Sequence, residues 1–227
     1  MTNARIVEVF HDTDGFLRAA IQCPPESVPS PGAYVMAVHP QITREPLATP
    51  LFLSGYAQSL KGFVAAPPIP ESWQPGDWLS LGSTLGRGFL SSQSVSRLAL
   101  VSLGSHCARL LPLAADALAS GGAVSIFTDA PLPRLSPSIE ARPIIDLPEA
   151  FAWADHIVLD SSLGELQSLN IETRESIPAH SEVLLHSPLP CAGLADCGIC
   201  AVPLKLNKWA YACTDGPVFS YGELNLL

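Results

Sequence analysis

Residues 191–219 read CAGLADCGICAVPLKLNKWAYACTDGPVF, and four of the chain's six cysteines stand in this stretch: Cys191, Cys197, Cys200 and Cys213. An iron–sulfur cluster takes four thiolates. Three of them on one tight loop let a short segment wrap a compact inorganic core, and a fourth on a returning segment closes the cage. Between the ligands lie Ala192, Gly193, Ala195, Gly198 and Ala201. These small residues let backbone N–H groups approach cluster sulfurs and hydrogen-bond to them. The spacing matches the plant-type pattern C-x4-C-x2-C followed by a distant cysteine, except for one additional residue in the first interval. The expected site is a 2Fe-2S centre held by Cys191, Cys197, Cys200 and Cys213, and the expected chemistry is electron transfer.

Two other readings use the same residues. Four thiolates also hold a structural zinc, and Cys197-x2-Cys200 suits a zinc knuckle as well as an iron loop. Disulfides need an oxidising compartment. The N-terminal MTNARIVEVFHDTDGF has neither the basic region nor the apolar run of a signal peptide, so the expected location is cytoplasmic and metal is favoured over disulfide. Cys23 and Cys107 sit in the apolar stretches AAIQC and SHCARLL and read as buried small hydrophobes.

Composition narrows the function further. A chain of 227 residues with 48% hydrophobic and 15% charged residues can bury one large or two small cores. No apolar run reaches the length of a membrane span. A net charge of −9 with only 12 Lys plus Arg argues against nucleic acid, which demands a basic face to replace phosphate counterions. Low charge and 22 prolines point to apolar surface covered by another subunit.

Upstream of the cysteines the chain has two rhythms. To about residue 94 it reads as short strands: Arg5 to Phe10, Phe16 to Cys23, Tyr34 to Val38, Leu51 to Ser54, Gly62 to Ala65 and Trp78 to Leu81. Asp14-Gly15, Pro31-Gly32 and Pro75-Gly76-Asp77 punctuate them, which predicts a small antiparallel barrel. From residue 95 strands and helices alternate: Leu98 to Ser102, the helical Cys107 to Ala119, Ala123 to Thr128, Ile139 to Ile145, the helical Pro148 to Ala154, His156 to Asp160, Leu163 to Asn170 and Glu182 to His186. That alternation predicts a parallel sheet flanked by helices. The expected division is a barrel over 1–94, a nucleotide-binding-like α/β domain over 95–187 and a cluster-binding segment over 188–227, too short to hold itself together without its metal.

Three segments carry a family resemblance. Pro31-Gly32-Ala33-Tyr34-Val35-Met36 is similar to a PGQFVM strand, and Pro75-Gly76-Asp77 followed by Leu81-Gly82-Ser83-Thr84-Leu85-Gly86-Arg87-Gly88-Phe89 to PGD and GPLGxGF segments. Cys213-Thr214-Asp215-Gly216-Pro217-Val218-Phe219 is close to a closing C-x-DGPVF. In this order they resemble the iron–sulfur flavoprotein electron-transfer subunit of type B dihydroorotate dehydrogenase, in the ferredoxin reductase superfamily. The resemblance implies a barrel of the FAD-binding type, an α/β domain that docks NADH, and a cluster that passes electrons to a catalytic flavoprotein subunit of pyrimidine biosynthesis. It implies an oxidoreductase subunit within a hetero-oligomer, with no catalytic residue of its own.

The chain departs from that family at both nucleotide sites. The family's flavin strand carries an Arg-Pro-x-Ser-like signature whose arginine neutralises flavin phosphate, where this chain has Thr49-Pro50-Leu51-Phe52-Leu53. A Gly-x-Gly-Thr turn for the pyrophosphate should precede the PGD segment, where Phe63 to Gln74 reads FVAAPPIPESWQ. A glycine triplet after the first parallel strand is reduced to Gly104 in Ser102-Leu103-Gly104-Ser105-His106. The expected complement is a 2Fe-2S cluster, with FAD weakly held, held by substitute residues or absent, and no NAD. The alternative is a non-redox partner or scaffold subunit whose cysteine loop is a structural zinc site. His106-Cys107 reads as no nucleophilic pair, and Asp12 and Asp14 read as a solvated hairpin turn rather than a metal site.

Overall fold

The computed structural model describes residues 1–40, 48–57, 61–90, 95–186 and 197–226. Six strands, β1 (Thr2–His11), β2 (Leu17–Gln22), β3 (Tyr34–Val38), β4 (Thr49–Ala57), β5 (Gly62–Ala65) and β6 (Trp78–Leu85), close a barrel in the order β1-β2-β5-β4-β3-β6. Every neighbour is antiparallel, and closure leaves no open edge. Strand alternation sends Ile6, Ile21, Val35, Leu51, Leu53, Phe63, Leu79 and Leu81 into the core. The connection from β5 to β6 adds Ile69 and Trp73 to that core.

The second half builds a sheet in the order β14-β11-β10-β7-β8-β9 from β7 (Arg97–Ser102), β8 (Ala123–Phe127), β9 (Ile139–Arg142), β10 (His156–Ser161), β11 (Glu182–Leu185) and β14 (Val218–Ser220). All pairs are parallel except β11 with β14. Helices α1 (Leu111–Ala119), α2 (Leu147–Trp153), α3 (Leu163–Ser168) and α4 (Ile171–Ser176) connect the strands. The continuous apolar run Leu98–Val101 is buried completely, as a central parallel strand requires. The fold class read from the sequence, an antiparallel barrel followed by a parallel α/β sheet, is the one observed. No helix of the described residues is long and apolar enough to cross a membrane.

Three local expectations change. The strand expected over Ile139 to Ile145 stops at Arg142, because Pro143 has no N–H for the ladder, and a 3-10 turn follows over Ile144–Asp146. The element expected over Leu163 to Asn170 is the helix α3, which ends at Ser168 and is followed by a separate helix. Asn170 begins α4, its side chain accepting the Thr173 N–H at 2.8 Å. Asp12 and Asp14 do lie at a hairpin turn, yet Asp14 is buried rather than solvated. Both are ion-paired with the buried Arg18, at 3.0 Å and 2.6 Å. Burial of a long cation beneath the hairpin draws the carboxylates inward.

The C-terminal segment is sewn into both halves. Its strands β12 (Ala201–Leu204) and β13 (Lys208–Tyr211) form a hairpin, and β14 extends the α/β sheet. The Gly86 N–H donates to Cys213 O at 3.0 Å, the Arg87 N–H to Gly216 O, and the Leu185 N–H to Pro217 O at 2.8 Å. Gly86 has φ +76, and a Cβ there would meet Pro217 and Gly216, so only glycine lets barrel and tail approach this closely.

Candidate metal centre and nucleotide sites

Cys200 is delivered by a tight turn. Gly198 adopts φ +70, the Ala201 N–H donates to Gly198 O at 3.2 Å, and the Ala212 N–H donates to Cys200 O at 3.1 Å. Cys213 is fixed from the other side, where the amides of Thr214, Asp215 and Gly216 all converge on Tyr211 O. The Asp215 carboxylate closes this turn by accepting the Tyr211 N–H at 2.9 Å. The two sulfurs meet at 3.5 Å without a disulfide between them, 9% and 5% exposed. Tyr34, Met36 and Ala212 pack around them, with Ala48, Phe52 and Leu85 behind.

Two thiolates sharing one tetrahedral metal, each bond about 2.3 Å long, stand about 3.8 Å apart, so this pair needs only a small adjustment. Cys197 is exposed, and among the described residues no three His, Cys, Asp or Glu converge. Cys191 lies outside the described residues. The structure thus brings together two of the four expected ligands and holds a third apart. A mononuclear zinc cage needs all four sulfurs mutually close, whereas a two-iron cluster takes two thiolates on each iron with sulfides between.

Beside the thiols lies an ion network that sequence inspection missed. Arg109 Nε sits 2.8 Å and 3.1 Å from the Asp160 carboxylate oxygens, and Arg109 Nη2 is 3.1 Å from His186 Nδ1. His186 Nδ1 is also 3.3 Å from Asp160 Oδ1. The guanidinium lies 5.7 Å over the Phe52 ring, which in turn packs on Tyr34 at 5.1 Å. Asp160 is 1% exposed. Burial alone would raise its pKa; the charge of Arg109 and hydrogen bonds from His186 and Arg109 outweigh it and hold the carboxyl at about 2.

His106 and Cys107 are also buried. Burial, and then the Arg109 charge, lower His106 to about 4, while burial pushes the Cys107 thiol up to about 12. A neutral imidazole beside a thiol held protonated offers little thiolate at neutral pH. Cys23 is likewise buried, its thiol raised to about 11. His106 Nδ1 instead accepts the Ala108 N–H at 3.3 Å. Because the folded protein resists protonating His106, this group's stabilisation is complete above pH 6.5 and disappears as pH falls through 6.5 toward 4. The expected loss is about 3 kcal/mol across that window. His106→Asn, which keeps an acceptor for Ala108, should flatten the Tm-against-pH curve between pH 6.5 and 4; identical slopes in both proteins would remove His106 as the cause.

Where the connections reverse, between β7 and β10, the sheet leaves a cleft of about 480 Å³ lined by Phe16, Gly104, Ser105, Asp129, Glu165 and Ser168 among others. Open α/β sheets bind ligands at such a switch point. No Lys or Arg stands in its described lining. Glu165 caps α3, taking the Ser162 N–H at 2.6 Å, and its other oxygen lies 3.4 Å from where a Cβ on Gly104 would project.

Comparison with known proteins agrees with this architecture. Residues 193–225 match the iron-sulfur cluster binding domain of dihydroorotate dehydrogenase B. Among solved structures, an NADH-dependent reduced ferredoxin-NADP oxidoreductase, described for flavin-based electron bifurcation, is 17% identical with a TM-score of 0.71, over 98% of this chain and 89% of that one. Phthalate dioxygenase reductase is 13% identical with a TM-score of 0.59, over 82% of this chain and 67% of that one. Ferredoxin-NADP+ reductase from Plasmodium falciparum is 9% identical with a TM-score of 0.54, over 82% of this chain and 96% of that one. No curated protein matches the sequence. The class is therefore set by the fold, which is that of the ferredoxin reductases. Within it, the tail matches the cluster-binding domain of dihydroorotate dehydrogenase B, and the two findings together support the resemblance to that enzyme's electron-transfer subunit.

Proposed function

We propose that the chain is an iron–sulfur electron-transfer subunit that relays electrons between a catalytic flavoprotein of the dihydroorotate dehydrogenase type and a second protein. Cys200 and Cys213 hold one iron of a 2Fe-2S cluster, and Cys191 and Cys197 hold the other. The observation that carries this reading is the approach of the Cys200 and Cys213 sulfurs to 3.5 Å, seated in an apolar wall contributed by the barrel. When bound, the cluster supplies a reversible one-electron couple. Tyr34, Met36 and Phe52 exclude water from the paired thiolates, and the turn at Asp215 keeps Cys213 in place.

The exposed side of the module supports a partner. Trp209 and Tyr211 alternate with the buried Ala210 on β13, so both stand on the outer face, 65% and 42% exposed. Ile199, between the ligands Cys197 and Cys200, is also exposed. Aromatic and aliphatic surface next to a ligand loop suits a docking face that brings the cluster near the partner's flavin. The complex works in the cytoplasm, where the thiols stay reduced.

Anaerobic mixing with a type B catalytic subunit tests the proposal. Dihydroorotate should bleach the cluster's visible absorbance reversibly in the complex and leave the isolated chain unchanged. Trp209→Asp should weaken the complex at least about tenfold with the cluster signal intact. An intact cluster that dihydroorotate never reduces in the complex would sink the proposal.

A further inference from the structure

We infer that this chain carries neither flavin nor nicotinamide dinucleotide, because the residues of its flavin strand and of its acidic switch-point cleft do not fit those groups, and that it therefore moves electrons only singly between two proteins. The inference rests on the relay reading above.

The flavin side is closed by substitution and by packing. The face of β4 that the resemblance gives to flavin carries Phe52 in place of a serine. Its ring packs on Tyr34 and is covered by the Arg109 guanidinium. Arg109 cannot swing aside freely, since Asp160 holds Nε and His186 lies against Nη2. Thr49 replaces the cation that would face flavin phosphate. The connection that should bring amides to the pyrophosphate instead turns Ile69 and Trp73 into the barrel core, and Pro67, Pro68 and Pro70 have no N–H to offer.

The nicotinamide side is closed by charge. A dinucleotide places its pyrophosphate against free amides at the start of the first helix. Here the Ala108 N–H of that entry turn is already taken by His106 Nδ1. Glu165 faces Gly104, Asp129 stands across the cleft, and no Lys or Arg stands in the described lining to offset two added phosphate charges.

A hydride brings two electrons and a proton, and a 2Fe-2S centre takes one electron and no proton. With no flavin to split the pair, a hydride donor cannot reduce this chain directly. A cluster held by the tail would take one electron from a protein donor and give that electron up to a protein acceptor. The class of reaction that supplies it is single-electron delivery from a reduced flavoprotein partner.

Full-length protein purified without oxygen tests this. Flavin released by acid should be substoichiometric, and FAD added to about 100 µM should show no fluorescence quenching, placing any Kd above about 0.1 mM. NADH and NADPH should leave the cluster absorbance unchanged where dithionite bleaches it fully. One tightly held FAD per chain, or bleaching by either nicotinamide, would overturn the inference. FAD binding alongside an intact cluster would leave the relay reading standing and remove only this inference. The FAD titration reads the flavin site whether or not a given preparation carries iron.

Discussion

Cys200→Ser removes the cluster. A serine oxygen is a harder ligand than a thiolate, and losing half of one iron's protein ligands should lower iron content at least about tenfold and abolish the visible spectrum. With the cluster gone the ligand loop loses its cross-links, so cleavage after Pro188 by a dilute protease should accelerate in the same variant. Cys213→Ser should behave identically, since its sulfur stands 3.5 Å from that of Cys200. Cys23→Ser is the contrast: this buried thiol lies in the barrel core, so its replacement lowers Tm modestly and leaves the spectrum intact. A Cys200→Ser protein with unchanged colour and digestion would remove Cys200 from the ligand set.

Arg109→Met carries the second large effect. It strands the buried Asp160 carboxylate without its cation and removes the cover over Phe52. Breaking a buried pair from one side costs about 3–5 kcal/mol, so Tm should fall by about 10 °C for a chain of this size. Adding Asp160→Asn should restore more than half of the loss, because the unpaired charge is then gone. The pH dependence has a definite sign. In the parent, Asp160 titrates at about 2 against an ordinary 3.8, so its stabilisation is present above pH 3.8 and lost as pH falls through 2. Without Arg109, burial raises the carboxyl against only the remaining His186 contact, so the deficit of Arg109→Met should shrink as pH is lowered from 7 to 4. A deficit that stays constant over that range would mean the lost packing, not the stranded charge, sets the effect.

Both halves of the fold were legible in the sequence because their signals are local. Turns such as Asp14-Gly15 and Pro75-Gly76-Asp77 separate short strands, and the unbroken Leu98–Val101 run marks a central parallel strand. The cysteine spacing and the C-T-D-G-P-V-F closure were legible for the same reason, since each is a short contiguous motif. What stayed hidden depends on distant residues. Arg109 reads as an ordinary helix cation in CARLL, and only the packing of α1 and its entry turn onto β4 and β10 makes it a buried partner of Asp160, 51 positions away. Asp14 reads as a turn residue until Arg18 is buried beneath it. That β14 would leave the cluster segment to pair antiparallel with β11 has no signature in three residues. Phe52 shows the two kinds of information together. The sequence reveals that it replaces a serine, and the structure reveals that Tyr34 and Arg109 enclose it.

The central claim is that the tail binds a redox-active two-iron cluster, and metal and sulfide analysis of anaerobically purified protein tests it most directly. The account predicts a red-brown protein with about two irons and about two acid-labile sulfides per chain, and an EPR signal that appears on one-electron reduction. A colourless protein holding one zinc per chain and no labile sulfide would contradict it.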